Sequence, residues 1–279
     1  MTSYQALKYM IISTFAFACM NVTVKYLDGF SAAQIVFLRS IGSLFFTFGL
    51  LIKNRIPPLG NNKKILILRG LVGVTSKTFF FMSIKYLPVG TAVSLRYLAP
   101  IFAAIFAVFL LKERIEPLRW LFFILAFSGV LVLKGLDEQV DTYGLILVLI
   151  ASVFSGMVYI ILGKIGNSEH PVVVVNYFMV TATIVGGILT FGKWVQPVGL
   201  EWVFLLSLGV FGYFGQLYMT KAFQTASASQ IAPLKYIEVV FTLLLGVALF
   251  NEVYTFWSLL GMTMIITALI LNTRYKRIS

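Results

Sequence analysis

Five ionisable residues stand deep inside otherwise apolar stretches of this 279-residue chain: Arg39, Lys77, Arg96, Lys235 and Glu238. A charge in hydrocarbon costs about 3 kcal/mol on insertion scales, so it is tolerated where it faces a polar interior or finds a partner. Four cations against one carboxylate leave three net positive charges when all are ionised, a field that favours a ligand bearing carboxylate or phosphate, with Arg supplying forked hydrogen bonds. Lys235 and Glu238 are three residues apart, so on a helix they share one face and neutralise part of each other's charge. Arg39, Lys77 and Arg96 have no acidic neighbour within their own stretches. The competing reading is that some of these, Arg39 and Arg96 first, lie near helix ends and snorkel to the membrane surface. Glu238 is the acidic candidate for proton coupling, because burial and a nearby Lys pull a carboxylate's proton affinity in opposite directions. A static salt bridge to Lys235 competes with that role.

Polar and aromatic neighbours, Asn21, Tyr97, Asn176, Gln216, Tyr218 and Tyr236, are placed to orient a substrate by hydrogen bonds or ring stacking. No phosphate-binding loop, dinucleotide fingerprint, His-Glu-x-x-His helix or nucleophile elbow is present, so neither catalysis nor ATP-driven pumping is expected, and no cofactor. The single cysteine, Cys19, excludes an intramolecular disulfide, and lone His170 before Pro171 is no metal site. A net charge of +12 lacks any basic domain outside the apolar runs to hold nucleic acid.

The elements that must position these residues are membrane helices. Hydrophobic residues make up 59% of the chain and charged residues 11%, with a mean hydropathy of +0.94. Soluble domains are about half apolar and a quarter charged. Runs of the length needed to cross the roughly 30 Å hydrocarbon layer recur throughout, and they are continuous, unlike the alternating segments of barrel strands. Ten spans are read: Tyr4 to Leu27, Ser31 to Ile52, Ile65 to Tyr86, Gly90 to Leu111, Pro117 to Leu133, Tyr143 to Gly163, Pro171 to Phe191, Leu200 to Phe223, Ser229 to Phe250 and Tyr254 to Asn272. Ser31 suits an N-cap, Pro117 and Pro171 suit a first helical turn, and Pro100 permits a kink in the fourth span. The first run carries Lys8, Asn21 and Lys25 and no small-residue cleavage site, so it reads as a retained helix. Lys8, Lys53, Arg55, Lys63, Lys64, Lys112, Arg114, Arg119, Lys164, Lys221, Arg274, Lys276 and Arg277 fall on one side, against Lys25, Lys85, Lys134 and Lys193 on the other. Cytoplasmic loops retain positive charge, so both termini are expected in the cytoplasm of a multi-pass protein of a bacterial inner (plasma) membrane.

The chain also matches itself at a constant shift of 139 residues. Tyr4 falls on Tyr143, Lys25 on Lys164, Gly70 on Gly209, Gly73 on Gly212, Tyr97 on Tyr236 and Glu113 on Glu252. The same shift sets Arg96 opposite Lys235 and Lys77 opposite Gln216. Residues 1–139 and 140–279 then each hold five spans, and an odd number makes the second half enter the membrane from the opposite side. Inverted repeats of this kind place a substrate site between the halves near the midplane.

Ala99-Pro100-Ile101-Phe102 leading to Leu111-Lys112-Glu113-Arg114, with its counterpart ending at Phe250-Asn251-Glu252, resembles the EamA domains of the drug/metabolite transporter superfamily over essentially the whole chain. Leu68-Arg69-Gly70 with Gly73, Gly215-Gln216 with Thr220-Lys221-Ala222, and Lys235 with Glu238-Val239-Val240-Phe241 are similar to the subgroup of 35G-type solute carriers, from which Arg96 and Lys77 depart. The resemblance implies an organic-anion or metabolite carrier with a central cavity and alternating access; other EamA members handle amino acids, S-adenosylmethionine, riboflavin or drugs. The expected function is a secondary transporter of a small anionic or zwitterionic metabolite held by Lys77, Arg96, Lys235 and Arg39. The alternatives are an exporter of amino acids or cationic drugs selected by Glu238, and a non-transporting scaffold or receptor.

Overall fold

Apolar runs bounded by Gly, Pro and charged residues fold as helices because, in lipid, backbone amides and carbonyls must pair within their own segment. The computed structural model describes residues 2–111, 117–136, 140–165, 168–225 and 232–274. Among these there is no strand. The helices are α1 (Thr2–Tyr26), α2 (Ala32–Lys53), α3 (Lys63–Ile84), α4 (Val89–Arg96), α5 (Ala99–Leu111), α6 (Pro117–Leu136), α7 (Thr142–Ile165), α8 (Pro171–Thr190), α9 (Leu200–Thr225), α10 (Ile237–Phe250) and α11 (Phe256–Arg274). A 3-10 turn, Ala232–Tyr236, leads into α10. Seven helical segments among the described residues are long and apolar enough to cross a bilayer, and shorter apolar stretches occupy α6 and α11. The expected Lys112, Glu113, Arg114, Ser229, Lys276 and Arg277 lie outside the described residues.

Helix starts follow local chemistry. Ser31 Oγ accepts from the Gln34 amide at 3.2 Å, and His170 Nδ1 accepts from the Val172 amide at 3.3 Å just ahead of Pro171. Each satisfies one amide that the first turn leaves without an intrahelical acceptor. The fourth span is not one kinked helix but two: α4 ends at Arg96 and α5 begins at Ala99. Pro100 has no amide proton to give the Arg96 carbonyl, and its ring clashes with a continuing helical backbone. The ninth span likewise departs from a single helix, with Pro233 in the 3-10 turn and α10 starting after Tyr236.

α1 packs on α9 and α10, α2 on α8 and α9, α3 on α7 and α8, α5 on α7, and α6 on α11. Lipid tails supply no hydrophobic drive between helices, so close backbone approach and polar contacts matter more. At the α2–α9 crossing a Cβ on Gly209 would lie 2.7 Å from Gly42 Cα, and at the α6–α11 crossing a Cβ on Gly129 would lie 2.7 Å from the Gly261 carbonyl oxygen. Both contacts require glycine. Met20, Ile35, Phe80, Phe81, Leu95 and Leu98 fill the interior, whereas Phe45, Phe109 and Leu131 remain on the outer, lipid-facing surface.

One end of the bundle is tied by Glu252. Its carboxylate accepts the Val89 amide at 3.0 and 3.1 Å, which caps α4, and pairs with Lys25 Nζ at 2.7 Å. Lys25 also donates to the Leu87 carbonyl at 3.0 Å, and the Tyr254 hydroxyl bonds Glu252 while accepting the Gly90 amide at 3.2 Å. Burial, reinforced by the bond to Glu252, raises the Tyr254 pKa, so its hydroxyl stays a donor.

Candidate functional site

The two helix breaks meet. Arg96 occupies the last turn of α4 and Glu238 the first turn of α10, the ends at which the helix dipole favours a cation and an anion respectively. Arg96 Nη2 lies 2.9 Å from Glu238 Oε1. Asn21 Nδ2 donates to the same oxygen at 2.9 Å, and the Tyr97 hydroxyl lies 2.6 Å from Oε2. Glu238 is 1% exposed, so α1, the α4–α5 break and α10 are joined at a buried carboxylate. The Tyr97 hydroxyl also reaches the Lys235 carbonyl at 2.9 Å, and the Tyr97 and Tyr236 rings meet edge to face at 5.1 Å.

This pairing corrects one expectation: Glu238 answers Arg96, from another helix, rather than Lys235. Lys235 belongs to the 3-10 turn and Glu238 to α10, so the helical spacing assumed for the pair does not apply. Lys235 Nζ lies instead 5.9 Å from the ring centres of both Tyr97 and Tyr159.

Beside the pair lies a cavity of ≈ 160 Å³ between α1, α3, α7, α8, α9 and the two breaks. Lys77, Arg96, Tyr97, Gln216, Lys235 and Glu238, six of the candidate residues, line it together. Arg69, Ser76, Phe80, Tyr159 and Phe178 line it too, and these were missed. On α3, the residues at 69, 73, 76, 77 and 80 keep the spacing of one helical face, which is the signal that could have found Arg69.

Lys77 Nζ sits 5.3 and 5.2 Å from the Phe80 and Phe81 rings and has no hydrogen bond or ion pair to a described residue. Arg96 Cζ covers the other side of the network at 4.1 Å from the Phe80 ring. Arg69 is buried with its guanidinium carbon 4.4 Å from the Phe178 ring, and its Nε and Nη1 find no protein acceptor among the described residues. Cation–ring contacts of this kind hold a cation without cancelling its charge. The lining therefore carries Arg69, Lys77, Arg96 and Lys235 against Glu238, four basic side chains to one carboxylate, with Arg69 standing where Arg39 was expected.

Four expected residues lie elsewhere. Arg39 is fully buried between α1 and α9, its Nε 3.2 Å from Met20 Sδ and pressed against Gly212, so it does not snorkel and does not line the cavity. Asn176 Oδ1 accepts from Thr47 Oγ1 at 3.1 Å and ties α8 to α2. Tyr218 packs 5.7 Å from Tyr9 near Lys221, and Tyr236 lies behind Tyr97. No grouping of His, Cys, Asp and Glu among the described residues could hold a metal ion.

Membrane-length helices packed around a buried, charged cavity define a multi-pass helical membrane protein. The chain belongs to the EamA-like transporter family, whose pattern it matches twice, over residues 5–134 and 142–274. It is 27% identical over 270 residues to the pseudopaline exporter of Pseudomonas aeruginosa, covering 96% of this chain and 95% of that protein. It is 27% identical over 271 residues to solute carrier family 35 member G1 of Homo sapiens, covering 91% and 74%. The S-adenosylmethionine uptake transporter of Rickettsia felis is 32% identical over 206 residues, covering 72% and 69%. A solved crystal structure shares the fold, with a TM-score of 0.67 at 16% identity over 97% of this chain and 94% of that one.

Proposed function

We propose that the protein is a secondary transporter that carries a small organic anion or zwitterion through the central cavity by alternating access. The observation that carries this reading is the make-up of the lining: Arg69, Lys77 and Lys235 face the cavity with no ion pair to a described carboxylate, while the carboxylate of Glu238 is engaged by Arg96, Tyr97 and Asn21. Glu238 then serves as the fixed counter-ion of Arg96 rather than as a group presented to a cation or exchanged with bulk protons. Arg39, behind the wall, adds to the positive potential.

Ten spans in two inverted halves, residues 1–139 and 140–279, are the architecture this mechanism needs, and helix packing supports it. Exchanging each span for the one five places along turns α1 against α9 into α7 against α3, and α2 against α9 into α8 against α3; all four contacts exist. The same holds at the level of residues. Gly209 abuts Gly42 and Gly70 abuts Thr181; Gly212 abuts Arg39 and Gly73 abuts Phe178. A shift of 139 converts one member of each pair of contacts into the other. The Lys and Arg distribution supports cytoplasmic termini.

The relatives support a small-molecule cargo, being a pseudopaline exporter in one case and an S-adenosylmethionine uptake transporter in another. Replacing Glu238 by Gln and, separately, Lys77 by Gln in proteoliposomes tests the assignment. An anion carrier loses transport with Lys77→Gln more than with Glu238→Gln, and the reverse order supports a cation exporter.

A further inference from the structure

The cavity's cations are not gathered at one point. A Cβ on Gly73 would lie 3.3 Å from Arg69 Nη1 and 3.0 Å from Phe178 Cδ2, so the Arg69 guanidinium lies at the level of Gly73, against the Phe178 ring. Lys77 follows Gly73 by about one turn, or about 6 Å, along the same helix, and its Nζ stands beside the Phe80 and Phe81 rings. Phe80 connects Lys77 to Arg96, and Tyr97 connects Arg96 to Lys235, at ring distances from 4.1 to 5.9 Å. The result is one pole at Arg69 and a second at Lys77 and Lys235, with the neutralised Arg96–Glu238 pair beside the second.

We propose that the ligand of this cavity carries two acidic groups separated by a short spacer, one held by Arg69 and the other by Lys77 and Lys235. This rests on the anion-carrier reading above. A single carboxylate reaches one pole and leaves the other cation desolvated without a partner. A two-headed anion answers both, and the Arg69 guanidinium, whose buried Nε and Nη1 find no acceptor among the described residues, keeps charge-assisted donors for one of its acidic groups. The polar Ser76 and Ser155 hydroxyls, 2.7 Å apart, lie on the wall between the poles.

The test is thermal unfolding of the purified full chain in detergent, titrated at matched ionic strength with acetate, inorganic phosphate, succinate and glutarate. Succinate or glutarate is expected to stabilise at a concentration about tenfold below that of acetate, which corresponds to one added charge-assisted contact. Arg69→Gln is expected to erase that advantage while keeping the acetate response. Lys235→Gln reads the other pole, and keeps the test open where Arg69→Gln fails to fold. Equal potency of acetate and the dicarboxylates in the unaltered protein, or a dicarboxylate advantage that survives both substitutions, overturns the two-headed ligand alone. Absence of any shift with all four anions overturns the anion-carrier reading with it.

Discussion

Arg96 Nη2 and Glu238 Oε1 lie 2.9 Å apart although 142 residues separate them, and they meet where two broken helices end. Pro100 stops α4 just after Arg96, and the 3-10 turn containing Pro233 starts α10 just before Glu238. Each charge thus sits at the helix end whose dipole favours it, with α1 contributing Asn21 as a third partner. Broken helices at membrane depth are tolerated where they line a cavity, and this pair fastens both breaks to the cavity wall.

Glu238→Ala leaves the Arg96 guanidinium buried without its counter-ion and is expected to destabilise the fold by about 3 kcal/mol, the scale for breaking one partner of a buried pair. Arg96→Met combined with Glu238→Met is expected to cost less than the two single changes added together. Thermal unfolding of the four proteins in detergent measures the coupling. Strict additivity contradicts the pair's role as the link between the breaks.

Lys25→Met and Glu252→Gln each remove part of the cap on α4. The Val89 and Gly90 amides, which donate to Glu252 and Tyr254, are expected to exchange their protons at least about tenfold faster, as local opening becomes easier. Hydrogen exchange read by mass spectrometry over residues 87–92 checks this, and unchanged protection removes Glu252 from the tie.

Gly209→Val places a side chain where the Gly42 backbone already stands. The α2–α9 crossing is then forced apart, and the melting temperature is expected to fall, whereas Gly192→Val, at an exposed turn with open space around its Cβ position, strains one left-handed residue without separating any helices. A larger loss for Gly192→Val than for Gly209→Val counts against close packing at that crossing.

Much of the helical content and several starts were legible in the amino-acid sequence, because long apolar runs, Ser31 and Pro171 act locally. The cavity was legible in part: Lys77, Arg96, Tyr97, Gln216, Lys235 and Glu238 stand out as polar groups in apolar surroundings. What spacing could not reveal was partnership. Lys235, three residues from Glu238, drew the pairing that a continuous helix would have made, but the change from 3-10 to α geometry between them turned the carboxylate towards Arg96. Arg69 lies nearer the start of α3 than Lys77 and does not stand out as a charge deep in an apolar run, although its register with Gly73, Ser76, Lys77 and Phe80 puts it on the cavity face. Arg39 and Asn176 were equally conspicuous, yet both are consumed by packing between helices, which depends on neighbours hundreds of atoms away in the chain rather than on local pattern.

The most direct test of the account is uptake and efflux of a radiolabelled metabolite panel in proteoliposomes, comparing the unaltered protein with Lys77→Gln and Lys235→Gln. The account predicts that at least one anionic or zwitterionic metabolite is moved, and that each substitution lowers its transport by about tenfold, the scale of one lost charge-assisted contact. Transport of every anion at undiminished rates in both variants would contradict it.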